Sequence, residues 1–215
     1  MERNNRVWKE KSSTVVDTVI AAMARLQTFR AMSSNVKGSR PNDRVEVWKP
    51  PPFGLYKINV DGSFSINNNS TGSTCFVIRD ALGIFIAGGG MSDSCFLSAE
   101  HVEAVACKQA IQFAVDNNFW PAIIETDAQV VYLQLLNNSS VNLSILGRLY
   151  EDMGQLLQTH ASVKVKHIRR SANNVAHIMA ANSKGLTSPV FYSSVPYFLQ
   201  SALAAEIILV TSSIQ

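Results

Sequence analysis

Between residues 56 and 61 apolar and polar side chains alternate, Tyr56, Ile58 and Val60 against Lys57, Asn59 and Asp61. A period of two predicts a half-buried strand. Gly72–Arg79 and Ile84–Gly88 predict two more strands, joined by the hairpin residues Asp80-Ala-Leu-Gly83, and Ile66–Thr71 reads as the preceding turn. Ser98–Asn117 has helical spacing and is stopped by Asn117-Asn118 and Pro121. Thereafter a short apolar strand at Ala122–Glu125, a helix at Ala128–Leu136, a break at Asn137-Asn-Ser-Ser140 and a helix at Leu143–Thr159 follow in turn. Val163–Ile168 alternates as a strand, and Ala172–Ser183 predicts a last helix ending at Gly185. Upstream, Val16, Val19, Ile20, Met23, Leu26 and Phe29 mark an amphipathic helix within residues 13–32, with Ser12 or Ser13 as its cap. Residues 33–54, rich in Ser, Pro, Gly and charge, read as a linker. The pattern therefore divides the chain into an extension (1–46), a domain (47–185) and an irregular tail (186–215). Three sequential strands followed by alternating helix and strand predict an α/β fold, a mixed sheet covered by helices.

Composition adds little to that picture. With 215 residues, 47% apolar and 16% charged, the chain can bury one sizeable core and is too apolar for global disorder. The net charge of +3 changes meaning once divided: residues 1–50 hold ten Lys/Arg and five Asp/Glu, residues 51–215 nine and eleven. The predicted domain is net acidic, which excludes a broadly basic nucleic-acid clamp. Cys75, Cys95 and Cys107 form no CxxC pair and lie among apolar residues, which predicts reduced, packed thiols and no zinc site. No apolar run approaches membrane-spanning length. The most apolar, Ala202–Val210, is interrupted by Glu206. The N-terminus lacks a signal-peptide core, so an intracellular protein without membrane association is expected.

Chemistry is suggested by carboxylates at element boundaries. Asp61 ends the first strand beside Gly62, where it can form an Asp-Gly turn or aim a carboxylate at a metal. At 100° per residue, Glu103 falls on the apolar stripe of its helix, with Cys107, Ala110 and Ala114. A carboxylate there costs several kcal/mol unless paired or bound to a cation. Asp127 lies between a strand and a helix, as an N-cap or a ligand. His177 stands four residues after Asn173 and shares its helix face. Arg169 and Arg170, with Lys164 and Lys166 on the preceding strand, form a basic cluster that is either a solvated face or a phosphate contact.

Together these residues resemble a known family. Val60-Asp-Gly-Ser63, Glu103-Ala-Val-Ala106 with Ala110 and Ala114, Glu125-Thr-Asp127, and Arg169-Arg-Ser-Ala-Asn-Asn-Val-Ala-His177 are similar to the successive blocks of type-1 ribonuclease H. The likeness is to the reverse-transcriptase-like ribonuclease H domain of plant non-LTR retroelements and their single-domain relatives. Trp48-Lys-Pro-Pro-Pro52 and Val77-Ile-Arg-Asp-Ala-Leu-Gly83 fit that subgroup. The resemblance covers about residues 47–184 and implies a five-stranded mixed sheet, three antiparallel strands first, with helices on both faces. It implies endonucleolytic cleavage of the RNA strand of RNA–DNA hybrids with two Mg²⁺ or Mn²⁺ ions. Asp61, Glu103 and Asp127 match three of the four acidic positions, while Arg169, Arg170 and Asn173 are expected to contact nucleic acid.

His177 takes the fourth acidic position. An imidazole there replaces a charged oxygen with a neutral nitrogen, suiting Mn²⁺ better than Mg²⁺. The stretch Lys164–Ala172 offers only His167, inside the predicted strand, as a counterpart of the mobile catalytic histidine of many type-1 enzymes. Two functions thus stay open: a metal-dependent hybrid ribonuclease, and a catalytically impaired domain that binds nucleic acid or a protein partner.

Overall fold

The structure is a computed structural model that describes residues 46–66, 71–136 and 142–212. The predicted N-terminal helix, most of the linker, and the 137–140 break lie outside them. Six strands form one sheet: β1 (Tyr56–Ser65), β2 (Thr71–Arg79), β3 (Phe85–Asp93), β4 (Ala122–Thr126), β5 (Val163–His167) and β6 (Val190–Tyr192), in the order β5-β4-β1-β2-β3-β6. β1, β2 and β3 run antiparallel in sequence; β4 joins β1, and β5 joins β4, in parallel. The helices are α1 (Ala99–Asp116), α2 (Gln129–Leu136), α3 (Gly147–Thr159), α4 (Asn174–Asn182) and α5 (Gln200–Ser212). No helix among the described residues is long and apolar enough to cross a membrane.

Because side chains alternate along a strand, the sheet carries a core on each face. Ile58 and Val60 face a cluster built with Ala106, Ala110 and Ile111 of α1, Val131 of α2 and Met153 of α3. On the opposite sheet face, Cys75 and Val77 meet Val175 and Met179 of α4, and Leu199, Ala202 and Leu203. Helices therefore cover both faces, as expected. Ser98 caps α1 by accepting from the His101 backbone N–H, which fixes where Glu103 falls on that helix. The β2–β3 hairpin closes as the sequence predicts: Asp80 Oδ1 accepts from Leu82 and Ile84 backbone N–H groups, and Gly83 adopts φ +78°.

Several expectations need correction. The sheet has six strands, since Val190–Tyr192 pairs antiparallel with Gly88–Gly90. The tail beyond Gly185 is not irregular, because it contributes β6 and α5, and α5 closes the second core. β3 extends past the predicted end at Gly88 to Asp93, through glycines that admit close neighbours. The helix expected from Leu143 begins at Gly147. β1 is not half-exposed: Lys57, Asn59 and Asp61 are buried together with the apolar residues between them. Cys75 and Cys107 are buried, but Cys95 is exposed.

Candidate metal centre

Asp61 and Asn59 project from the same face of β1, two residues apart. Gly62 lets α1 approach: a Cβ at position 62 would lie 2.7 Å from Val102 Cγ1 and 3.0 Å from the Glu103 backbone nitrogen. Glu103 is thereby brought beside the end of β1. Asp127 follows β4, whose parallel register with β1 pairs Asn59 with Glu125. Just before α2, it is Thr126 Oγ1 that accepts from Ala128 N, at 3.0 Å. The carboxylate of Asp127 instead accepts from Asn173 Nδ2 at 3.1 Å.

Asp61, Glu103 and Asp127 each offer one oxygen, and the three oxygens lie within 4.8 Å of one another. Asp61 is buried, and Glu103 and Asp127 are half-buried. Burial and the charge of Asp127 raise the Asp61 carboxyl above its ordinary value, while hydrogen bonds from His177 and the Gly62 N–H pull it back. Burial, then Asp61, then Asp127 push Glu103 up to about 9. Its Oε2 is enclosed and has no hydrogen-bond partner. Hard oxygens, crowded negative charge and an orphaned carboxylate oxygen fit a small divalent cation, which would neutralise the cluster and satisfy that oxygen.

The sign of the pH dependence follows. Between the ordinary carboxyl value of 4.5 and about 9, folded metal-free protein retains a proton on Glu103 that the unfolded chain has lost. The stability this group contributes is full below pH 4.5 and is lost as pH rises to about 9. Glu103→Gln is expected to flatten that loss, melting higher than the unmodified protein at pH 8.5 and close to it at pH 4.5 when both are metal-free. Calorimetry across pH checks this; parallel stability curves would contradict the burial of Glu103.

His177, at the fourth position, is half-exposed, and its Nδ1 lies 3.0 Å from Asp61 Oδ2. Arg170 Nη2 approaches both ring nitrogens at 3.3 and 3.4 Å, so Arg170 stands over the site mouth. Arg169, also exposed, turns to Glu46: its N–H donates to Glu46 Oε2 at 3.2 Å and its Nε is 4.0 Å away. Lys164 and Lys166 are exposed on β5, and His167 ends that strand with its ring 6.0 Å from that of Tyr132. Asn173 is 1% exposed, with its amide turned inward onto Asn59 and the Val60 carbonyl.

Behind the carboxylates lies a buried polar network that sequence reasoning missed. Asn59 accepts from Trp48 Nε1 and Arg79 Nη2, and donates to Glu125 and Asn173. Arg79 lies over the Trp48 ring, 3.5 Å from its centroid, and pairs with Glu206 of α5. Lys57 pairs with Glu125 at 2.9 Å. The signal available in sequence was Glu206 itself, the one charge in the apolar run Ala202–Val210.

Comparison with known proteins places these features. Three solved structures show the same fold, each below 25% identity. The RNase H1 of the halophilic archaeon Halobacterium salinarum NRC-1 aligns at TM-score 0.53 and 23% identity, over 60% of this chain and 97% of that one. LC11-RNase H1 in complex with an RNA/DNA hybrid aligns at 0.52 and 14%, over 60% and 95%. The prototype foamy virus protease–reverse transcriptase aligns at 0.54 and 16%, over 69% of this chain but only 23% of that one. No curated protein matches the chain. The profile of the family described as reverse transcriptase-like matches residues 59–183, which hold all three carboxylates and His177. With more than half of its length inside that match and a ribonuclease H-like fold around it, this chain belongs to the reverse transcriptase-like family.

Proposed function

We propose that the chain is a metal-dependent endonuclease that hydrolyses the RNA strand of RNA–DNA hybrids. The observation that carries this reading is the convergence of Asp61, Glu103 and Asp127 within 4.8 Å at the rim of a ribonuclease H-like sheet. These three side chains would hold two Mg²⁺ or Mn²⁺ ions. When bound, such ions supply Lewis acidity, which favours deprotonation of the attacking water and stabilises the leaving 3′ oxygen. To serve as a ligand, Glu103 would release to solvent the proton that burial and its neighbours favour in the metal-free protein. Asp61, on β1 in the interior of the sheet, is the most buried of the three. Arg170, with Lys164 and Lys166, all of them exposed, would meet backbone phosphates. Hybrid recognition would rest on minor-groove shape and 2′-hydroxyls, with little base reading.

A second reading, binding without cleavage, is favoured by one observation: the His177 ring occupies an Asp61 oxygen at 3.0 Å. End-labelled RNA–DNA hybrid incubated with the full chain separates the two. Cleavage is expected with Mn²⁺ and, more slowly, with Mg²⁺. His177→Asp is expected to raise the Mg²⁺-supported rate most, because it restores a hard oxygen donor. Hybrid binding without cleavage under either metal would overturn the catalytic reading in favour of the second, and absence of both would reject each.

A further inference from the structure

We infer that Asn173 and Asn59 are positioning residues for the carboxylate centre, through which the Trp48 segment and α5 hold Asp127 in place. The inference rests on the metal-site reading above. Its basis is a hydrogen-bond chain with one permitted direction. Trp48 Nε1–H and the Arg79 guanidinium can only donate, so both fix Oδ1 of Asn59 toward themselves, at 3.0 and 2.8 Å. Nδ2 of Asn59 must then face Glu125 Oε2 at 3.1 Å and Asn173 Oδ1 at 3.2 Å. That turns Nδ2 of Asn173 toward the Val60 carbonyl at 2.8 Å and Asp127 Oδ1 at 3.1 Å. Neither amide can flip without setting donor against donor or acceptor against acceptor.

Every hydrogen-bonding position of Asn59 is therefore used, in a residue that is 0% exposed. Such fully satisfied buried networks are rigid and intolerant of partial removal. Asn173 bridges the carbonyl just before Asp61 and the carboxylate of Asp127, so it sets the separation of two of the three ligands. The far end of the chain is anchored by Glu206 of α5 on Arg79, and by the Trp48 ring over the same guanidinium. The function of α5 thus extends beyond covering apolar surface: it orients a donor that reaches a metal ligand through two amides.

The test reads metal binding directly. Mn²⁺ titration of the full chain, followed by electron paramagnetic resonance of free ion, is compared with Asn173→Ala and with Ile111→Val, a core variant far from the network. Outer hydrogen-bond partners of metal ligands change affinity by roughly 10–100-fold, and a rise of that size in the Kd for Mn²⁺ is expected for Asn173→Ala. Ile111→Val is expected to lower the melting temperature without moving the Kd. In an Asp127→Asn background, Asn173→Ala is expected to add nothing further, since it acts through Asp127. Should Asn173→Ala fail to fold, Asn173→Ser decides: one short hydroxyl cannot serve both acceptors, and a rise of about threefold or more in Kd is expected on the same ground. Wild-type affinity in these Asn173 variants would overturn the positioning role and leave the metal site standing. Absence of saturable Mn²⁺ binding by the unmodified chain would overturn the metal site itself.

Discussion

Asp61→Asn is expected to abolish cleavage and, at the same time, to stabilise the metal-free protein. The two effects share one cause. Asp61 is buried, lies within 4.8 Å of two other carboxylates through its ligand oxygen, and has its carboxyl raised above the ordinary value by burial and by Asp127. Neutral asparagine removes that repulsion while keeping the shape, so the metal-free melting temperature should rise. The same change deletes one of the three anionic ligands. Loss of about 4 kcal/mol of transition-state stabilisation, the scale of a bound ion's contribution, corresponds to about a thousandfold in rate. Single-turnover cleavage of a labelled hybrid and calorimetry of metal-free protein would be measured together. A variant that retains more than a tenth of the activity, or that melts lower than the unmodified chain, would contradict the site described here.

The second large effect concerns stability and lies at the other end of the network. Arg79 is 1% exposed and Glu206 is 6% exposed, and the pair joins β2 to α5. Removing one partner of a buried pair strands the other, at a cost of about 3–5 kcal/mol. Glu206→Met is therefore expected to lower the unfolding free energy by about 3 kcal/mol, toward the small end because Asn59 and the Trp48 ring still contact the guanidinium. The double replacement Arg79→Met with Glu206→Met should recover most of that loss, since apolar groups of similar volume commonly replace buried pairs without penalty. The recovery should fall short by about 1 kcal/mol, because Asn59 loses one of its two donors. Urea unfolding of the unmodified chain and the two variants gives the comparison. A Glu206→Met chain within 1 kcal/mol of the unmodified protein would show that α5 does not lock β2. By the same reasoning, a chain cut at Gly185 lacks Glu206 and leaves Arg79 without its ion-pair partner.

These two experiments probe residues that differ sharply in how they announce themselves. Asp61, Glu103 and Asp127 were recognisable because each sits where local structure makes a carboxylate conspicuous: a strand end, the apolar stripe of a helix, a strand–helix junction. Asn59 and Arg79 gave no such sign. In an alternating strand a polar residue is normally read as facing water, and that reading requires the second face to be open. Here α4 and α5 cover it. For Asn173, likewise, the motif position implied chemistry but could not show that its amide turns inward onto Asn59 and Asp127.

By itself, the chain's local order determined the succession of strands and helices, the hairpin at Asp80–Gly83, the helix phase that turns Glu103 inward, and thus the family likeness. These are short-range properties, set by side-chain period, caps and turn residues. Only the tertiary structure decided that the three carboxylate oxygens meet, that His177 rests on Asp61, that Val190–Tyr192 adds a sixth strand, and that Glu206 reaches Arg79 across 127 positions of sequence. Those contacts depend on which faces of distant elements are brought together. No local pattern records the partner that a buried polar side chain will find once a later helix closes over it.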